Sequence, residues 1–188
     1  MKLWLLRHAR VTLEAGLCYG ASDVPADPAL TRIAAESAAA RLPPGLPVCV
    51  SALGRAQQLA RELHALRQDL GPAFTDPRLN EMDFGHWELQ PWDAIPRAAF
   101  DAWMADFAHH RFGGAESTQQ IIDRVADALD DLRQRWQMQA VGEAVWVTHA
   151  GVIRAAQYVA THGHGPIRYA SQWPREAPEP GGWMALEI

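Results

Sequence analysis

Apolar positions along the chain fall into two patterns, short continuous runs and longer stretches at helical spacing, and the two alternate. Leu3 to Leu6, Leu46 to Ser51 and Ala144 to Thr148 have the length and composition of strands buried on both faces. Helices are predicted over 30–42, stopped by Pro43-Pro44, and over 55–70, stopped by Gly71-Pro72. Ser117-Thr-Gln-Gln120 reads as a capping box. Ile121, Ile122, Val125, Leu129 and Leu132 then recur at helical spacing in a helix reaching about Gln139. A helix over 150–161 and a last strand over 183–188 complete the pattern, with no internal repeat. Strand alternating with helix favours a mostly parallel sheet over a bundle.

Two segments break the rhythm. Residues 9–29 show no helical period and contain Gly16, Gly20, Pro25 and Pro28, the mark of a long loop, which a compact domain keeps when it serves a site. Residues 73–116 carry Pro77, Pro91 and Pro96, the aromatics Phe84, Trp87, Trp92 and Trp103, and one helix over 97–109. That segment is expected to lie as a cap over the sheet edge. The tail 163–182 is rich in Gly and Pro.

At 188 residues the chain suits one domain, large enough to fold without a disulfide or structural metal. A net charge of −5 argues against general nucleic-acid binding, so an anionic substrate requires a local cluster of arginines. Cys18 and Cys49 lie far apart without ligand spacing, which favours a reducing compartment. Residues 1–8 run straight into charge, and no apolar stretch reaches membrane-spanning length. A cytoplasmic protein with no membrane or nucleic-acid partner is expected. The oligomeric state is left open.

The chemistry sits where the strands stop. Arg7-His8 follows the first, Ser51 to Arg55 the second, and His149 the third. In a parallel sheet these endings share the carboxyl edge, where open α/β sheets bind ligands. Two arginines and two histidines there would hold an oxyanion, since the planar guanidinium can grip two phosphate oxygens at once. Glu81, Asp83 and Glu88 are candidate acids from the cap, with Asp83 and Glu88 read chiefly as loop or surface carboxylates. Glu116 is expected to support the N-terminus of the following helix. Arg154 fits a substrate contact or a structural ion pair equally. The eight tryptophans are core by default, except Trp87 and Trp92, which could face an aromatic substrate. His109-His110 and His162-Gly-His164 lack the supporting ligands of a metal site.

Five ordered blocks resemble the histidine phosphatase, or phosphoglycerate mutase-like, superfamily. They are Leu6-Arg7-His8, Ser51-x-Leu53-x-Arg55-Ala56-x-Gln58, Leu79-x-Glu81-x-x-Phe84-Gly85-x-Trp87-Glu88, Gly114-x-Glu116-Ser117 and Thr148-His149-x-Gly151-Val152-Ile153-Arg154. Within the family, the Phe84-Gly-x-Trp-Glu88 form and Cys18-Tyr19-Gly20 are most similar to α-ribazole phosphatases, which act late in making the lower ligand of cobalamin. The resemblance implies a three-layer α/β sandwich, its mostly parallel central sheet flanked by helices. It also implies one domain over 1–188, with a small helical cap over about 76–116. His8 would be the nucleophile that forms a phosphohistidine. Arg7, Arg55 and His149 would bind the phosphoryl oxygens, and Glu81 would be the general acid and base. Neither a metal nor another cofactor is implied, and the partner would be a small phosphomonoester. The competing readings are a non-catalytic phosphate-binding member and a mutase-type phosphotransferase.

The chain departs from the family at four places. Ala9 and Ala150 replace glycines, so both loops are expected to use ordinary backbone regions or carry strain. Val11 and Glu14 stand where the family has threonine and asparagine. A glutamate facing phosphate would repel it, so the loop is expected to be remodelled, with Arg10 or Thr12 compensating, or the pocket weakened.

Overall fold

The computed structural model describes residues 1–139 and 142–188, the side chains of 136–139 excepted. A five-stranded sheet, ordered β3-β2-β4-β1-β5, is built from β1 (Lys2–Arg7), β2 (Val48–Val50), β3 (Ala73–Thr75), β4 (Glu143–Thr148) and β5 (Trp183–Glu187). The first four strands are parallel, and β5 returns antiparallel along β1. Helices α1 (Pro28–Ala39) and α2 (Gly54–Leu66) cover one face, and α4 (Thr118–Gln139) and α5 (Ala150–His162) the other. The short α3 (Arg97–Ala105) belongs to neither layer.

Alternation along the strands explains the layering. Leu3 and Leu5 join Ala144 and Trp146 in the core beneath α4 and α5, while Leu6 joins Val145 and Val147 beneath α1 and α2. Every one of these residues is at most 1% exposed, so the central strands are apolar on both sides, as their continuous runs require.

Some boundaries differ from expectation for identifiable reasons. Helix α1 begins earlier because Asp27 caps it, its Oδ1 accepting the Leu30 N–H at 2.9 Å, with Pro28 at the first position. Helix α2 ends at Leu66 because the Arg67 backbone leaves helical geometry. The Arg67 side chain turns back to donate to the carbonyls of Ala39, Leu42 and Pro43. Helix α3 is shorter than predicted, since Asp106 leaves helical geometry and its side chain accepts from the His109 N–H. The capping box forms: Ser117 N–H donates to Gln120 Oε1 at 2.9 Å and Gln120 N–H to Ser117 Oγ at 3.3 Å. Strand β3 was not foreseen, because its residues are all exposed and carry no alternation.

The 77–116 segment contains three single-turn 3₁₀ helices and α3. Cys18, Ile95 and Phe112 form its small core, with Phe84, Trp87, Phe100 and Trp103 packed around them. Trp146 alone of the described tryptophans is fully buried; Trp4, Trp87, Trp103, Trp173 and Trp183 are partly buried and pack against the core clusters, and Trp92 is exposed.

Leu5→Ala, in the centre of the sheet, should lower the unfolding free energy by about 2–5 kcal/mol in urea denaturation. Ile33→Ala, at a position 60% exposed on α1, should stay within about 0.5 kcal/mol of the parent chain.

Candidate active site

Parallel register sets the site. Arg7 pairs with Thr148 and Val50 with Val147, so His8, His149 and Ser51 each follow the last paired residue of a neighbouring strand. The His8 N–H donates to Thr148 O at 3.1 Å and the Ser51 N–H to Val147 O at 3.0 Å. The two imidazoles lie 5.0 Å apart between centroids. The turn ahead of β5 closes over this edge: Gly181 N–H donates to His8 O at 2.9 Å and Arg7 Nη1 to Pro178 O at 2.8 Å.

Hydrogen bonding fixes the tautomer of each histidine. His8 Nδ1 lies 2.7 Å from Ala9 O, a group that can only accept, so Nδ1 carries the proton and Nε2 the lone pair. Arg55 Nε donates to that Nε2 at 3.3 Å. Ser51 donates its hydroxyl proton to Asn80 Oδ1 at 2.9 Å, and the Ala52 N–H orients the same amide oxygen at 2.8 Å. Ser51 Oγ, 2.8 Å from His149 Nε2, must therefore accept from it, leaving the His149 lone pair on Nδ1.

Among the described residues, two buried side-chain nitrogens lack a hydrogen-bond partner, Arg7 Nε and His149 Nδ1, and both belong to this site. Buried polar atoms are rarely left unpaired, so an arrangement that orphans two of them is one that awaits a ligand. Burial and the nearby Arg55 push His8 down to about 3. Burial, then His8 and Arg55, hold His149 well below the ordinary imidazole range. Burial also lowers both arginines, partly offset by the charge of Glu81. The ensemble is an electropositive pocket with neutral imidazoles, suited to an oxyanion.

Glu81 stands beside it. Its Oε1 accepts the Met82 N–H and its Oε2 the Gly151 N–H, both at 3.0 Å. A β-carbon at 151 would run into Oε1, so glycine lets α5 begin this close without pushing the carboxylate aside. Glu81, Phe84 and Arg154 line both an open cleft of about 250 Å³ and a narrower, more apolar chamber of about 120 Å³. Arg7, His8, Leu17, Tyr19 and Trp92 complete the cleft, and Trp103, Thr118, Ile121 and Trp173 are among the chamber walls.

The structure thus brings together Arg7, His8, Arg55, Glu81 and His149. Arg154 takes the place of a lining cation, also donating to Arg175 O at 3.3 Å. Trp92 faces the cleft, whereas Trp87 packs against His86 and Phe112. Glu116 clamps Arg124, at 2.6 Å from its Nε, and accepts the Asp83 N–H. It does not cap α4, where Ser117 is the capping residue. Asp83 accepts the Gly85 N–H. Glu88 is half-buried and bound to loop 20–22 rather than a surface group. His164 sits 3.0 Å from Asp130 and His162 stacks on Tyr158. Among the described residues no three His, Cys, Asp or Glu side chains are grouped so as to hold a metal ion.

None of the departing residues at 9, 11, 14 and 150 lines the cleft. Ala9 and Ala150 keep negative φ, Leu89 being the one non-glycine at positive φ among the described residues. Glu14 is exposed and does not line the cleft. Val11 is buried in a bridge to Ala26, and Thr12 bonds to Pro25 O. Arg10 lies in a separate groove with Leu30 and Ile33, so neither it nor Thr12 compensates. Tyr19 does take up a place beside the phosphate-gripping candidates, its ring 5.4 Å from the Arg55 guanidinium. Tyr19, Asn80 and Trp173 were missed from sequence.

A model of the histidine phosphatase superfamily (branch 1) matches residues 3–172. An adenosylcobalamin/alpha-ribazole phosphatase of Escherichia coli (strain K12) is 32% identical over 162 residues, 81% of this chain and 75% of that protein. The alpha-ribazole phosphatase of Shigella flexneri superposes with a TM-score of 0.79 at 26% identity, over 100% of this chain and 91% of that one. A mycobacterial glucosyl-3-phosphoglycerate phosphatase, in complex with VO3, is alike in fold at a TM-score of 0.83 and 22% identity, over 99% of this chain and 90% of that one.

The histidines set the direction of a pH effect. Between about 3 and 6.5 the unfolded chain protonates His8 and the folded chain does not, and His149 acts in the same sense. Stability of the unliganded protein should therefore be fullest above pH 6.5 and fall as pH drops. An arriving oxyanion reverses the local field, so its binding near pH 7 should carry a proton toward His149 Nδ1. Calorimetry of sulfate, which does not itself titrate near pH 7, in buffers of different ionisation heat reads that proton. His149→Gln should abolish the uptake.

Proposed function

We propose, on the premise that the chain belongs to the histidine phosphatase superfamily, that this phosphatase hydrolyses small phosphomonoesters through a phosphohistidine at His8, without a metal. The observation that carries the reading is the His8 ring itself. Its proton is held on Nδ1 by Ala9 O, which leaves Nε2 as a lone pair at the floor of an electropositive cleft.

The residues divide the work as follows. A phosphoryl group bound at His8 meets Arg7 Nε and His149 Nδ1, the two nitrogens without partners. It also displaces the Arg55 N–H from Nε2 onto a phosphoryl oxygen. His8 Nε2 then attacks phosphorus in line with the ester oxygen. The P–O bond breaks, and the alcohol leaves with a proton from Glu81. In the second half-reaction water attacks the phosphohistidine, Glu81 takes its proton, and phosphate departs with His8 restored. Phosphoryl transfer depends mostly on positioning and charge stabilisation, which the two guanidiniums provide here.

The leaving alcohol has to pass Glu81, which borders the chamber walled by Phe84, Trp103 and Trp173. Those rings, together with Trp92 in the cleft, suit an alcohol that carries an aromatic base. With the alpha-ribazole phosphatase likeness, this supports α-ribazole 5′-phosphate as the substrate, in cobalamin biosynthesis. A cytoplasmic location accords with the two free thiols. The segment over about 76–116 acts as the cap over the cleft.

Turnover quenched in alkali or denaturing detergent should trap an acid-labile, base-stable phosphoryl adduct on His8, with chelator present throughout. His8→Ala should remove the adduct and cut kcat by roughly 10³ or more; full activity in that variant would sink the reading. A panel of phosphate esters should give α-ribazole 5′-phosphate the highest kcat/KM.

Glu81→Gln separates proton donation from binding. An alkoxide needs a proton in the transition state, and an activated aryl phosphate, leaving as a phenolate, needs it far less. The pre-steady-state burst of alcohol release should therefore slow strongly for an alkyl ester and mildly for an aryl one. Equal loss in both bursts would make Glu81 a positioning group only.

A further inference from the structure

We propose that Glu88 is the positioning residue for Arg55, acting through the peptide units of loop 20–22; the inference rests on the phosphoryl-transfer reading of the site. Three successive backbone donors converge on the Glu88 carboxylate: Gly20 N–H at 2.9 Å, Ala21 N–H at 3.0 Å and Ser22 N–H at 3.1 Å. Ser22 Oγ adds a fourth bond at 2.6 Å, and the Phe84 N–H a fifth at 3.0 Å. A concave run of successive N–H groups is an anion cradle of the kind that elsewhere holds phosphate. Here a carboxylate of the chain itself fills it.

The carbonyls of the same loop face the other way. Gly20 O accepts from Arg55 Nη2, and Ser22 O from Arg55 Nη1 at 2.8 Å. The peptide unit joining Gly20 to Ala21 thus gives its N–H to Glu88 and its C=O to Arg55. Its dipole lies between anion and cation in the favourable sense. Arg55 is fully buried and has no carboxylate among its hydrogen-bond partners, so these carbonyls and His8 Nε2 are what orient it. Three of its five N–H bonds are committed in this way, which leaves one on each terminal nitrogen for an oxyanion.

The surroundings hold Glu88 to this task. A β-carbon at 20 would run into Met82 O and press on Glu88 Oε1, so Gly20 permits the loop to reach the carboxylate. Leu89, the next residue, sits at φ 63°, where an apolar side chain is costly. Its N–H donates to Cys18 O at 2.7 Å, and Cys18 N–H to Gln90 O at 2.8 Å, so the two loops are laced together immediately after Glu88.

Glu88→Gln keeps the size, loses the charge, and sets an NH₂ group against backbone N–H groups. With Arg55 intact it should lower kcat/KM and weaken orthovanadate binding by roughly 10- to 100-fold, the scale of a small misplacement of a catalytic group. In an Arg55→Lys background the same change should cost about twofold or less, because the guanidinium it orients is gone. Glu88→Asp, which keeps the charge on a shorter arm, should fall between. A purely structural Glu88 would lower the melting temperature and the yield of active protein yet leave KM and vanadate affinity alone. Equal losses in both backgrounds, or no loss with Arg55 present, would overturn the proposal. If Glu88→Gln does not fold, as judged by circular dichroism, Glu88→Asp and Ser22→Ala are carried through the same cycle: coupling to Arg55 supports the proposal and additivity overturns it. Orthovanadate binding is read without turnover, so a wild-type chain that binds but does not hydrolyse would count against the phosphatase reading alone.

Discussion

Parallel pairing of β4 with both β1 and β2 is the constraint on which the site depends. It delivers three strand ends to one edge in register, and each end carries a group that has no business in an apolar core. A slip of one residue between β1 and β4 would turn Leu3 and Leu5 toward the wrong helices and carry His8 away from His149. Core and site therefore share one register. The 0% exposure of Leu3, Leu5, Val145 and Val147 is what holds the imidazoles 5.0 Å apart.

The second constraint is the burial of positive charge. Arg55 and His149 are fully buried and His8 nearly so, and the largest carboxylate influence on the arginines comes from Glu81. The protein meets the cost in two ways. Both histidines stay neutral, and Arg55 is surrounded by backbone carbonyls rather than carboxylates, so its charge is solvated without being cancelled. A paired arginine would offer an incoming oxyanion much less.

The parts of this arrangement legible in the sequence are those that follow an apolar run. Arg7, His8, Arg55 and His149 could be assigned to one sheet edge because strand periodicity and parallel topology are local properties with a global consequence. Glu81 was placed among the candidate acids by the order of its block. Strand β3 was not legible, since three exposed residues at the edge of a sheet show neither a run nor an alternation. Loop convergence was not legible either: Glu88 meets residues 66 to 68 positions away, and the block that contains it gives it no partner. Trp173 enters the chamber from a tail whose Gly and Pro content says only that it is irregular. The replacements at Ala9, Val11, Glu14 and Ala150 raised an expectation of strain or a weakened pocket, but the chain absorbs them by turning Glu14 outward and burying Val11.

The two layers of core differ in grain. Beneath α1 and α2 the helices present Ala34, Ala35, Ala38, Ala56 and Ala60, while beneath α4 and α5 the space is filled by Trp146, Tyr158, Ile121, Ile122 and Ile153. Small residues let helices ride close to a sheet, and large ones interdigitate across a wider gap. Sequence drift consequently meets opposite tolerances on the two sides. The coarse-grained side suffers when a side chain shrinks and a void opens, whereas the fine-grained side suffers when one grows. Because Ala56 directly follows Arg55, and Ala9 directly follows His8, growth on that side is resisted next to the site, as it is at Gly151 beside Glu81 on the other. Positions that touch Arg55, His8 and Glu81 thus carry a packing constraint as well as a chemical one, and sequence change is less free there than in the outer walls of the two layers.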